Sequence, residues 1–332
     1  MHGWRRSPAL RLLALLFLAP AAFTQTPQGV PQSEPIRVSV DRVNVGVMVT
    51  DARGRFVAGL RREDFHILDD GAEQPLTDFA AIEEPAQVLL LVESGPAVYF
   101  LESSHLQAAH ALLDGLSAGD RVAVVKYDQS PQPLLDFTAD KQAAEAALGN
   151  VRFNLGFGML NLSRSLSTVL DWLAKTQGKK TIVLLSTGFD TSPPTQPEAV
   201  LARLRTGDVR ILAISLSGGL RNPPGASSKA SPEKTAVAAQ GFAEADRLLA
   251  ALTATTGGRV YFPNSAKDFA TVYTEIAQLV RHEYSLAFAP PAHDGKIHTI
   301  EVRVSPTSGT LPSAAAPAYR IDHRRAYLAP LS

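Results

Sequence analysis

Two serines, Ser94 and Ser217, lie beside glycines just past apolar runs, where a nucleophile turn would sit. Such a turn needs the pattern Gly-x-Ser-x-Gly so that the backbone can double back beneath an exposed hydroxyl. Neither Glu93-Ser94-Gly95 nor Leu216-Ser217-Gly218 carries it. A hydrolase-like site would instead have to draw Ser94, Asp190 and a histidine together from distant parts of the chain. None of the eight histidines (His2, His66, His105, His110, His282, His293, His298 and His323) has a partner at metal-ligand spacing. His105 and His110 are five apart, on different faces of a helix. Asp69-Asp70 lacks the alternating acids of a calcium loop and reads, with Gly71, as a tight turn. Asp128 and Asp136 read as solvated turn residues. Gly156-Phe157-Gly158 lacks the third glycine of a dinucleotide loop and does not directly follow a strand. The absence of cysteine excludes disulfides, thiolate metal sites, a cysteine nucleophile and a lipidated cysteine. No catalytic residue, metal ligand or cofactor is assigned, and the chain is expected not to be an enzyme.

The elements that position these groups are clearer than the groups themselves. Val88 to Val92 is an apolar run closed by Ser94-Gly95-Pro96, as a parallel strand covered on both faces requires. Residues 180–186 and 209–216 repeat the pattern, with further strands expected at 121–127, 134–137 and 259–262. Helices are expected at 101–116, 141–148, 160–174, 196–204, 236–254 and 268–281, and loops at 150–158 and 221–234. Strands and helices in alternation predict a Rossmann-like α/β fold, a mostly parallel sheet with helices on both faces. Ligands of such sheets sit beyond the carboxyl ends of the strands, which directs attention to residues 92–97.

On these residues the chain resembles the von Willebrand factor type A (vWA) domain. The family's first strand is usually four apolar residues followed by Asp-x-Ser-x-Ser. A second loop usually reads Gly-Gly-Thr-Ala-Leu and a third Leu-Leu-Ser-Asp-Gly-x-Asp. The resemblance implies an adhesion-type site in which these loops hold a magnesium-class ion through five side chains. In this chain the corresponding positions are Val92, Ser94, Pro96, Gly158 and Thr187, so four of the five expected ligands are replaced. Neutral hydroxyls alone do not compete with water for a divalent ion, which also wants carboxylates to offset its charge. Glu93 and Asp190 lie close in sequence, but Glu93 is one residue out of phase and is expected to face away from the site. The expectation is a crevice that keeps its fold and has lost its metal. The resemblance also implies that the strand at 134–137 runs antiparallel.

The flanks complete the plan. Residues 1–24 read as a secretory leader, with Arg5, Arg6 and Arg11 ahead of the apolar Leu12 to Leu18, which is too short to span a bilayer. A disordered linker at 25–35 follows, then β structure at 36–84, where Val43, Val45, Val47 and Val49 alternate and 65–79 read as a hairpin. The α/β domain is placed at 85–282 and a second β segment at 283–328, with Asp294-Gly295 as its turn. Neither β segment can make a core alone, so the two are expected to pack together as a small sandwich. Gly59-Leu60, Asp64-Phe65, Asp70-Gly71 and the run Thr256 to Pro263 resemble the vWA-related proteins exported by acidobacteria. Basic and acidic residues balance at 32 each, so neither nucleic acid nor an anionic membrane is an expected partner. The reading is an exported, periplasmic or extracellular, metal-independent module that binds an unknown protein and keeps no membrane span once the leader is cleaved. Its alternatives are the Ser94/Asp190 hydrolase and a structural protein with an idle crevice.

Overall fold

The computed structural model describes residues 42–83, 85–95, 102–152, 158–191, 196–221, 232–305 and 319–331. The predicted leader and linker, Pro96, Phe157 and most of the 221–234 loop lie outside these residues. Within them the chain is a mixed α/β molecule: a central, mostly parallel sheet with helices on both faces, plus two antiparallel sheets.

The central sheet has the order β10-β9-β8-β5-β6-β7. Its strands are β5 (Gln87–Glu93), β6 (Arg121–Tyr127), β7 (Pro131–Thr138), β8 (Lys180–Ser186), β9 (Val209–Ser215) and β10 (Arg259–Tyr261). All neighbours are parallel except β7, which runs antiparallel to β6, as expected. The helices are α1 (Glu102–Gly115), α2 (Lys141–Gly149), α3 (Leu162–Leu173), α4 (Pro197–Thr206), α5 (Pro232–Thr255) and α6 (Ala266–Leu279), with a helical turn at Gly218–Arg221.

The period-two geometry of β5 divides its side chains between two cores. Val88, Leu90 and Val92 pack with Leu112 and Leu113 of α1, Ala144 of α2 and Tyr273 of α6. Leu89 and Leu91 pack on the other face, with Leu166 of α3, Leu204 of α4 and Leu249 of α5. At the edge, Gly258 brings the start of β10 against β9: a Cβ there would lie 1.8 Å from the Ile211 carbonyl oxygen, so no larger residue fits.

The remaining strands form the sandwich. One sheet has the order β13-β1-β11-β4, from β1 (Val43–Thr50), β4 (Leu76–Glu83), β11 (His282–Phe288) and β13 (Arg320–His323). The other, β14-β12-β2-β3, uses β2 (Phe65–Asp69), β3 (Ala72–Gln74), β12 (Ile297–Val304) and β14 (Ala326–Leu328). Val45, Val47 and Val49 meet Ile67, Tyr284, Phe288, Ile300 and Tyr327 in one core. Met48, on the opposite face of β1, is buried in the core shared with α1 and α6, which seats the sandwich on the α/β domain.

Polar clamps fix the same junction. Arg259, buried, donates to Glu275 on α6, to Asp322 on β13 and to the Thr50 hydroxyl on β1. Glu283 meets Arg210 at 2.7 Å and Lys179 at 3.4 Å. Burial works to raise the Glu283 carboxyl, yet these two cations together hold it below its ordinary value.

Two local expectations are corrected. Residues 65–79 do not make one hairpin: β2 and β3 pair around Asp70 and Gly71, both at positive φ, but β4 crosses to the other sheet. Pro75 lies between β3 and β4 and lacks the N–H needed to continue the first ladder. Likewise Asp294-Gly295 does not close a hairpin, because β11 and β12 belong to different sheets. Strand β14 falls within the expected β segment at 283–328, but its three residues are too few to show a period of their own.

Candidate functional site

At the carboxyl ends of β5, β6 and β8 the second face of the sheet turns from apolar to polar. Leu89 and Leu91 are followed on that face by Glu93, Val125 by Tyr127, and Leu184 by Ser186. Glu93 and Tyr127 are paired in register. Glu93 is fully buried. Its carboxylate accepts the Thr187 N–H at 2.7 Å, the Thr187 hydroxyl at 2.8 and 2.9 Å, the Ser186 hydroxyl at 3.1 Å and the Tyr127 hydroxyl at 3.2 Å. Tyr127 and Ser186 are themselves linked at 2.6 Å.

This corrects the placement of Glu93. Its side chain does point opposite to Val92, but the buried polar network at the strand ends lies on Glu93's side. Val92, counted from the motif as a site position, belongs to the apolar core at 0% exposure. Burial pushes the Glu93 carboxyl above its ordinary value, opposed by the hydrogen bonds from Thr187, Ser186 and Tyr127. Burial, followed by the neighbouring Glu93 charge, raises the Tyr127 phenol well above its own.

The other sequence-predicted positions are partly brought together. Ser94 is buried, and its hydroxyl donates to the Tyr127 carbonyl oxygen at 3.0 Å. Thr187 joins Glu93 as described. Asp190 lies farther along the same loop and caps α3, accepting the Ser163 N–H at 3.1 Å and the Ser163 hydroxyl at 2.5 Å. Its second oxygen, Oδ1, is buried and accepts no hydrogen bond among the described residues. Gly158 contributes no side chain, and Leu160, two residues on, lies against Gly95. Gly188, at φ 80°, carries the third loop so close to α5 that a Cβ would meet the Ala245 carbonyl oxygen at 2.6 Å.

Sequence reasoning missed Tyr127, Ser186 and Ser163. Parity along the strands was the available signal for the first two, since residues 89, 91 and 93 share one face with 125, 127, 184 and 186. Past the strand ends of the same sheet, Met159, after the second loop, is 44% exposed and Phe262, after β10, is 46% exposed; the half-buried Phe189 of the third loop packs at a tilt on Phe242.

An open, mostly parallel sheet with helices on both faces is the architecture in which ligands bind beyond the carboxyl ends of the strands. The profile of the von Willebrand factor type A domain family matches residues 101–273, and the chain belongs to that family, whose domains are protein-interaction modules. The match begins after β5, so the Glu93 strand lies outside it. Similar solved structures include proximal thread matrix protein 1 of the mussel byssus, at 12% identity and a TM-score of 0.45, covering 64% of this chain. The chain spans about half of the mussel protein's length (51%). A von Willebrand factor type A protein from Catenulispora acidiphila is 12% identical, with 89% of this chain and 75% of that one covered and a TM-score of 0.41. The manganese-loaded TRAP protein of Plasmodium vivax is also 12% identical, with 78% and 97% covered and a TM-score of 0.42. No curated protein matches the chain.

Proposed function

We propose that this chain is an exported, non-enzymatic protein-binding module of the vWA family that engages its partner at the crevice without a bridging divalent ion. One observation carries the reading: the acid at the end of the first strand is consumed internally. Glu93 accepts bonds from both β6 and the loop after β8, so a side chain ties together the strand ends that the family's ion would otherwise bridge. The donor set does not fit a magnesium-class ion, which wants a shell of oxygens including carboxylates free to coordinate. Val92 is core, Gly158 has no side chain, and the hydroxyls of Ser94 and Thr187 already donate within the protein.

Several features support the rest of the reading. Met159 and Phe262 expose apolar surface at the strand-end side of the sheet, the kind of surface that partner proteins cover. The hydroxyl of Ser94 is spent on a backbone carbonyl, and among the described residues no histidine hydrogen-bonds to it. Export rests on the basic and apolar pattern of residues 1–24. No helix among the described residues is long and apolar enough to cross a membrane.

Calorimetric titration of magnesium into the full chain tests the metal-independent reading. No saturable binding below ~1 mM is expected. Binding that disappears in Glu93→Gln would show that the carboxylate serves an ion after all. For the rim, a partner captured from the exported fraction should be lost by Met159→Asp or Phe262→Asp. Unchanged capture by both variants would move the binding surface elsewhere.

A further inference from the structure

The sandwich holds a second grouping of acidic oxygens with the opposite character. Asp69 ends β2, Asp70 is the first residue of its turn, and His298 enters from β12. Asp70 Oδ2 lies 2.9 Å and Asp69 Oδ1 3.3 Å from His298 Nδ1, and all three donor atoms lie within 4.8 Å of one another. Every other polar atom of the group is already committed. The Tyr327 hydroxyl donates to Asp69 Oδ2 at 2.8 Å, while the Thr299 N–H and hydroxyl each donate to Asp70 Oδ1 at 2.8 Å. His298 Nε2 is held by Asp294 Oδ1 at 3.2 Å.

A second observation points to a ligand. The Asp69 side chain is 1% exposed, and its Oδ1 accepts no hydrogen bond among the described residues, although it faces His298. An anionic oxygen buried this deeply without a donor is costly unless a cation completes it. The charges agree, since three carboxylates surround one imidazole, and the lysine or arginine ion-paired with them among the described residues is the exposed Lys296, beside Asp294.

We propose that Asp69 Oδ1, Asp70 Oδ2 and His298 Nδ1 form a site for a zinc-class divalent ion. Donors bound at about 2.0–2.2 Å to one such ion lie roughly 3–3.5 Å apart, the spacing that both aspartates already keep from the imidazole. Two carboxylates and a neutral imidazole balance the ion's charge and suit first-row metals better than calcium, which takes more oxygens and no nitrogen. Asp294 supplies the carboxylate that orients a ligating histidine through its other nitrogen, and Tyr327 and Thr299 fix the aspartates in the same way. Three protein ligands leave a fourth position for water, beside Asp70, which is 54% exposed. The ion would staple the β2–β3 turn to β12.

Zinc chloride titrated into the full chain, followed by calorimetry and by thermal unfolding, tests the site. One zinc per chain is expected, with a micromolar or tighter dissociation constant and a raised Tm. Asp70→Asn should weaken binding at least tenfold, because asparagine keeps the positive φ of 46° but loses the charge. His298→Gln should do the same, and unfolding curves without metal establish that both variants are folded. Cobalt in place of zinc should give visible d–d absorption in the wild type that both variants lack. No zinc binding tighter than about 1 mM would overturn the proposal and leave His298 as an ion-pair partner only. Wild-type affinity in both variants would overturn it as well.

Discussion

Two groups of carboxylates in one chain behave as opposites. Glu93 is wholly buried and surrounded by donors from Thr187, Ser186 and Tyr127, so its lone pairs are used. Asp69 and Asp70 are each held by one oxygen through Tyr327 or Thr299 and turn the other toward His298. Counting acids does not separate the two groups; counting unused lone pairs does. By that measure the crevice named by the family resemblance is a rigid joint, and the turn that looked purely structural is the better ligand field.

The contrast breaks or sharpens under substitution. The largest effect expected is that of Glu93→Ala, which leaves the Thr187 N–H and three hydroxyls facing a buried gap. A loss of about 3 kcal/mol or more in urea unfolding is expected. Glu93→Gln, which keeps a carbonyl acceptor, should lose clearly less. Saturating zinc acts in the other direction: at a hundredfold excess over the wild-type dissociation constant it should add about 2.7 kcal/mol to the wild type and, with binding weakened at least tenfold, no more than about 1.4 kcal/mol to Asp70→Asn.

A pH series gives a smaller signal of defined sign. The Glu93 carboxyl is raised in the folded state, so the fold binds its proton more tightly than the unfolded chain does. Its contribution is full below the unfolded value and is lost as pH rises through the folded one. Metal-free wild type should therefore lose stability relative to Glu93→Gln as pH increases from about 4. A parallel pair of curves would mean that burial does not perturb this group. Smallest of all, Asp294→Asn should weaken zinc about tenfold without abolishing it, since Asp294 only orients His298. Complete loss would make Asp294 a direct ligand.

The layout of the sheet was legible in the sequence because buried strands need apolar runs and helices need stripes, and both are local signals. The pairing of the N-terminal strands β1, β2 and β4 with the C-terminal strands β11, β12 and β13 was legible from a deficit, two β segments each too small to bury a face. The site was harder. Fitting the family motif by its serine put the acid at Val92, whereas the strand's own alternation, Leu89, Leu91, Glu93, assigns the polar face correctly. Asp69-Asp70 read as a turn and nothing in the sequence joined His298 to it, because metal-ligand spacing is a short-range pattern and Asp70 meets Thr299 across 229 residues. Pairing of that kind emerges only from strand register, here β2 on β12.

That register has a consequence for biosynthesis. β1 takes its ladder partners from β11 and β13, and β4 takes its partner from β11. While the ribosome is still adding the α/β domain, β1 and β4 are made but have nothing to zip against. An unfinished chain stopped before His282 would carry naked sheet edges and the valine row of β1, a natural client for a holding chaperone.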